Sequence, residues 1–176
     1  MMQKSLETMP PTEMSKRIAL MAGSFDPFTM GHASIVERGL ALFDEVVVAV
    51  GQHPDKPHTD ARKRADAIAA VYSGEPRVRV IVSHRLTADT AREVGARFLL
   101  RGVRSVRDFE YERDMADVNR ELGEGLETVL LTASPHLSAL SSTVVRDIAS
   151  YGKDVSRYLP RPSIGQSKPD TDKDIQ

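Results

Sequence analysis

Four stretches of this chain combine residue types that suit phosphate chemistry. Gly23 to His32 reads GSFDPFTMGH, with two glycines, an Asp-Pro pair and a histidine directly after an apolar run. Gly23 frees the backbone for a tight turn and Gly31 lets a ligand approach the main chain closely. Asp26-Pro27 is a turn signal. His32 is expected near the start of the next helix, whose unpaired N–H groups and dipole favour an anion. The chemistry implied is anion binding, phosphate first, with an imidazole beside it; a structural loop with a surface histidine is the other reading. The second stretch, Arg101 to Glu112, reads RGVRSVRDFEYE. Arg101 and Arg104 can fork onto phosphate or carboxylate oxygens, and an arginine that directly ends a buried strand must find a partner. Arg107, Glu110 and Arg113 suit a solvated helix face. The third is Lys56, in HPDKP, a flexible point charge after another apolar run. In the fourth, LSALSST from Leu137 to Thr143, three hydroxyls precede a helical pattern, where a helix cap and an anion cradle can coincide.

The elements that must hold these residues alternate along the chain. Short apolar, β-branched runs predict strands at Ile18 to Ala22, Glu45 to Val50, Val78 to Ser83, Phe98 to Leu100 and Thr128 to Leu131. Helical patterns predict helices at Ala33 to Leu42, Asp60 to Tyr72, Thr87 to Ala96, Asp108 to Leu122 and Ser141 to Ser150. Alternation of this kind implies right-handed βαβ units and an α/β, doubly wound (Rossmann-like) parallel sheet in a single domain. Ligands in such sheets sit outside the carboxyl ends of the strands. Gly102 would then lie just past the fourth strand.

Composition removes several function classes. The chain has 176 residues, 24 basic and 25 acidic, and a net charge of −1. A dedicated nucleic-acid binder is usually clearly basic, so no nucleic-acid partner is expected. With no cysteine, disulfides, thiolate metal sites and a cysteine nucleophile are excluded. No apolar run reaches the roughly 18–20 residues that span a bilayer, and the polar start does not read as a secretory signal. A cytoplasmic protein is the simplest reading. Neither GxxxxGK[ST] nor GxGxxG is present, which argues against kinase and dehydrogenase readings. His53, His58, His84 and His136 show no metal-ligand spacing, so no protein metal site is expected. Residues 1–15 and 161–176 lack periodicity and hold prolines; both ends are expected to be disordered, flanking a domain at 16–160.

Thr29-Met30-Gly31-His32 resembles the (T/H)xGH signature of the nucleotidyltransferase superfamily, and Arg101 to Glu112 is similar to the RGLRxxxDFEYE block of bacterial phosphopantetheine adenylyltransferases. The resemblance runs from about Arg17 to Pro160 with four blocks in family order. It implies adenylyl transfer from ATP to 4'-phosphopantetheine, with His32 stabilising charge on the α-phosphate and no covalent intermediate. It implies catalytic roles for His32, Lys56 and Ser24. ATP contacts fall at Ser24, Phe25, His32, Gly102, Val103, Arg104 and Glu112, and at Leu137, Ser138, Ala139, Leu140, Ser141, Ser142 and Thr143. Acceptor contacts fall at Ser24, Lys56, Thr87 and Arg101. Mg²⁺ held by phosphates and water, a homohexamer and feedback inhibition by coenzyme A are further implications. The chain departs from the family at Leu137, where tryptophan is usual, at Thr143 for serine, at Met21-Ala22 for Tyr-Pro, and at Thr87 for Leu or Met. A sibling nucleotidyltransferase acting on nicotinate mononucleotide or glycerol phosphate would keep Thr29 to His32 without the Arg101 block. A catalytically dead nucleotide-binding module is the reading from a different class.

Overall fold

The computed structural model describes residues 16–52 and 60–162. The segment with Lys56, and the ends at 1–15 and 163–176, lie outside the described residues. Five strands, β1 (Ile18–Gly23), β2 (Glu45–Gly51), β3 (Val78–Ser83), β4 (Phe98–Val103) and β5 (Glu127–Thr132), form one parallel sheet in the order β3-β2-β1-β4-β5. Each pair of consecutive strands is joined through a helix: α1 (Met30–Gly39), α2 (Ala61–Val71), α3 (Thr87–Val94) and α4 (Val106–Leu122), with α5 (Ser142–Ser150) after β5. The order grows outward from β1 in both directions, so the winding reverses between β1 and β4. That reversal opens the crevice in which doubly wound sheets bind ligands, and it bears out the expected fold class.

Strand side chains alternate between faces, and both faces are covered. On one face Met21, Val46, Val48 and Leu100 pack with Ile35 and Val36 of α1 and Ala65 and Ile68 of α2. On the other, Leu20, Val47, Ala49 and Leu99 meet Ala88 and Ala91 of α3. Burial on both sides is why β2 reads EVVVAVG with no polar alternation. Among the described residues no helix is long and apolar enough to cross a membrane.

Three boundaries differ from expectation in ways that matter for the site. β4 continues through Arg101, Gly102 and Val103, paired with Leu130, Leu131 and Thr132 of β5, so Gly102 lies inside the strand. Backbone pairing carried the ladder past the point where the apolar run stops. α1 starts at Met30 with Thr29 as N-cap, which places Gly31 and His32 in its first turn. α4 starts at Val106, because the Ser105 side chain accepts a bond from the Asp108 N–H at 3.1 Å.

Candidate active site

Two cavities open at the carboxyl edge of the sheet, one on each side of β4. Successive residues of that strand point to opposite faces. Gly102 therefore lines the cavity on the α1 side, and Arg101 reaches the α4 side. The first cavity, about 550 Å³, is bounded by Ser24, Phe25, His32, Gly102, Arg104 and Glu112, and by Leu137, Leu140, Ser141, Ser142 and Thr143. The second, about 420 Å³, lies between α3 and α4 and includes Thr87, Arg85, Met115 and Asn119. Gly23, Arg101, Tyr111 and Glu112 border both. Of the expected ATP contacts, Val103, Ser138 and Ala139 are not on the wall of the first cavity.

His32 is held from three sides. Its Nδ1 accepts the backbone N–H of Thr29 at 3.0 Å and lies 3.1 Å from the Thr29 hydroxyl. A ring nitrogen that accepts carries no proton, so the neutral imidazole holds its proton on Nε2. The Phe28 ring stacks on the imidazole at 5.5 Å, and Phe25 meets it edge-on at 5.2 Å. Burial, with the nearby positive charges of Arg104 and then Arg101, pushes its pKa down to about 4. At neutral pH His32 is thus a fixed, uncharged Nε2–H donor.

The loop that carries Ser24 is held by packing and by donors from distant helices. Phe25 is buried at a positive φ of 46°. A Cβ on Gly23 would lie 3.0 Å from the Phe25 ring, so a side chain there would crowd the ring and push it aside. A Cβ on Gly31 would meet nothing closer than 3.4 Å; folding does not demand that glycine, and its bareness leaves cavity space. Arg64 of α2 donates to the Ser24 carbonyl, and Arg146 of α5 to the Asp26 carbonyl. The Ser142 hydroxyl donates to the Pro27 carbonyl at 2.8 Å, and the Ser141 hydroxyl caps α5 by accepting from Val144 N–H at 3.2 Å. Thr143 receives a bond from Arg146 at 3.3 Å. Each of the three hydroxyls thus has a partner within the chain, and Ser141 is the helix cap that the sequence offered beside an anion cradle. The N–H groups of Ser142 and Thr143 at the start of α5, which have no intrahelical acceptor, remain the group's offer to an anion.

Arg101 finds its partner within the chain. Its Nε and Nη2 donate to Glu112 at 2.8 and 2.6 Å, and Nη1 donates to the Ala22 carbonyl at 2.5 Å. The pair fixes α4 to β4 at the wall common to both cavities. Arg104 pairs with Asp108 at 2.9 Å. Sequence reasoning missed Arg107, Asp108 and Tyr111 as cavity residues, and it assigned Arg107 to solvent alone. All three are one to four residues from expected contacts, and the first two turns of α4 bring them to the cavity wall.

A cytidylyltransferase-like family profile matches residues 20–148. The chain is 52% identical over 148 residues to the phosphopantetheine adenylyltransferase of Porphyromonas gingivalis, covering 84% of this chain and 96% of that one. It is 46% identical over 146 residues to the enzyme of the same name from Bacteroides fragilis, covering 82% and 97%. For Lacticaseibacillus casei the identity is 45% over 151 residues, covering 85% and 90%. Among solved structures, a bifunctional NMN adenylyltransferase/ADP ribose pyrophosphatase from Francisella tularensis, complexed with AMP and a manganese ion, is similar with a TM-score of 0.61. At 12% identity, over 83% of this chain and 45% of that one, the likeness is one of fold.

Proposed function

The chain belongs to the phosphopantetheine adenylyltransferases within the cytidylyltransferase-like family, and on that premise we propose that it transfers the adenylyl group of ATP to 4'-phosphopantetheine, giving dephospho-coenzyme A and pyrophosphate. The observation that carries this reading is the meeting of two cavities at Arg101 and Glu112, one of them holding a fixed imidazole donor. ATP takes the α1-side cavity, with phosphates over Ser24, Phe25, His32 and the start of α5. The pantetheine arm takes the α4-side cavity past Thr87 and Arg101, and Lys56 meets its phosphate.

In the reaction, an oxygen of the acceptor's 4'-phosphate attacks the α-phosphorus of ATP in line, and pyrophosphate leaves. The Nε2–H of His32 donates to an α-phosphate oxygen as charge builds there. A donor aligned beforehand costs no reorganisation in the transition state. The remaining contribution is to hold two substrates in register. Among the described residues no group of acidic or histidine side chains could hold a metal ion. Mg²⁺, arriving with the triphosphate, would be held by phosphate oxygens and water and would offset their charge. Steady-state pyrophosphate release with ATP and each acceptor tests the reading. 4'-Phosphopantetheine should far exceed pantetheine, and nicotinate mononucleotide should give no useful turnover. Equal kcat/KM for pantetheine and its phosphate would sink it.

A further inference from the structure

Arg64 is a buried arginine, 6% exposed, that lines neither of the two cavities at the sheet edge. It belongs to the inward stripe of α2, with Ala61, Ala65 and Ile68. Its Nη1 donates to the Ser24 carbonyl and, at 3.2 Å, to the carbonyl of Gly51, the last residue of β2. One guanidinium thus joins the loop leaving β1 to the end of β2. It does so from outside the first cavity: Arg64 borders a separate groove with Phe28, Ile68 and Val71. Removing a guanidinium from water is costly, and packing α2 against the sheet would be served as well by an aliphatic residue.

We infer that Arg64 is a positioning residue for adenylyl transfer: by holding the Ser24 carbonyl on the α2 side, it turns the Phe25 N–H toward the nucleotide phosphates. In a trans peptide the N–H lies opposite the preceding C=O, so fixing one direction fixes the other. Ser24 and Phe25 both border the first cavity. The loop leads into the first turn of α1, where His32 stands seven residues from Phe25 with the Phe25 ring against the imidazole. A Ser24–Phe25 peptide free to rotate would therefore disturb both a phosphate contact and the wall of the catalytic histidine. This inference rests on the proposed adenylyl transfer.

The test compares the full chain with R64K and R64Q by thermal midpoint, ATP binding without acceptor, and pyrophosphate release normalised to folded protein. A positioning role predicts kcat per folded molecule lowered by about tenfold or more in R64Q, on the scale of one misaligned donor. KM for ATP should rise while KM for 4'-phosphopantetheine stays within about twofold, and R64K should recover part of both losses. A residue that only supports the fold would lower the midpoint and leave the normalised constants unchanged; that result, or loss of folding in both variants, overturns the inference. If the unmodified chain shows no turnover, the proposed function itself fails, an outcome distinct from either result with the variants.

Discussion

The two cavities share a stretch of β4 but are built in opposite ways. On the α1 side the groups proposed to act on ATP are held by the protein itself: His32 by a backbone bond and two rings, and the Ser24–Pro27 loop by side chains from α2 and α5. On the α4 side one ion pair, Arg101 with Glu112, stands at the border. Beyond it Arg85 is exposed and reaches Glu93 only at 3.6 Å, while Ser83 and Thr90 bond each other at 2.7 Å. Charge that develops in a transition state rewards donors aligned in advance, whereas an acceptor's flexible arm needs shape and a few anchors. The roles proposed for the two cavities fit that division of labour.

Replacing His32 with alanine should break the contrast most sharply. We expect kcat lower by roughly 10²–10³, the loss typical of one preorganised donor, with KM for ATP little changed. Pyrophosphate-release kinetics separate the two constants, and a loss confined to KM would mean that His32 binds rather than activates.

The pH dependence of stability probes the same preorganisation. The folded pKa of His32, about 4, lies below its ordinary 6.5. Between these values the unfolded chain binds a proton that the native state does not, so stability is full above pH 6.5 and declines as pH falls toward 4. The loss is at most about 3 kcal/mol. Urea unfolding at several pH values should show this slope in the native sequence and its absence in His32→Ala. A His32 titration midpoint near 6.5 by NMR would contradict the enclosed donor.

On the other side, Arg101→Met leaves Glu112 largely buried without its partner. Partial exposure of Arg101 limits the cost, and we expect a stability loss of about 2 kcal/mol. KM for the acceptor should rise more than KM for ATP. A double-mutant cycle with Glu112→Gln measures how much of the loss is the pair itself. Equal rises in both KM values would make the shared wall a single site. The smallest effect is expected at half-buried Thr87, where Thr87→Val should change acceptor KM by about threefold or less, the scale of one neutral hydrogen bond. A larger shift would show that this cavity too depends on fixed polar contacts.

Much of this was legible in the sequence, and the exceptions share a cause. The apolar runs and helical patterns placed every strand and helix of the sheet, because burial on two faces leaves a strong compositional mark. That Ser24, His32, Arg101 and Arg104 gather at one edge of the sheet was readable too, because they follow or end apolar runs. The end of β4 was not, since Arg101 and Gly102 interrupt the apolar run while the ladder to β5 continues. Nor were the uses of Arg64, Arg146 and Ser142, whose partners lie 13 to 120 positions away in the chain. A faint signal existed for Arg64: the spacing of Ala61, Arg64, Ala65 and Ile68 sets a charge on an apolar stripe, an anomaly that local pattern reading notices only if it asks why.

The seat of Phe25 against Gly23 has a consequence for anyone mapping this region by saturation mutagenesis. Gly23 borders both cavities, and a survey would score it as intolerant and tempt the reader to count it a ligand contact. The intolerance would come from the neighbouring ring, which a Cβ would meet at 3.0 Å, and would appear equally in a screen for abundance alone. Gly31 is the useful counterpart, because a Cβ there fits at 3.4 Å or more. Variants at Gly31 that accumulate normally yet lose turnover would report on the proposed nucleotide site, and Gly23 would serve as the control for crowding within the fold.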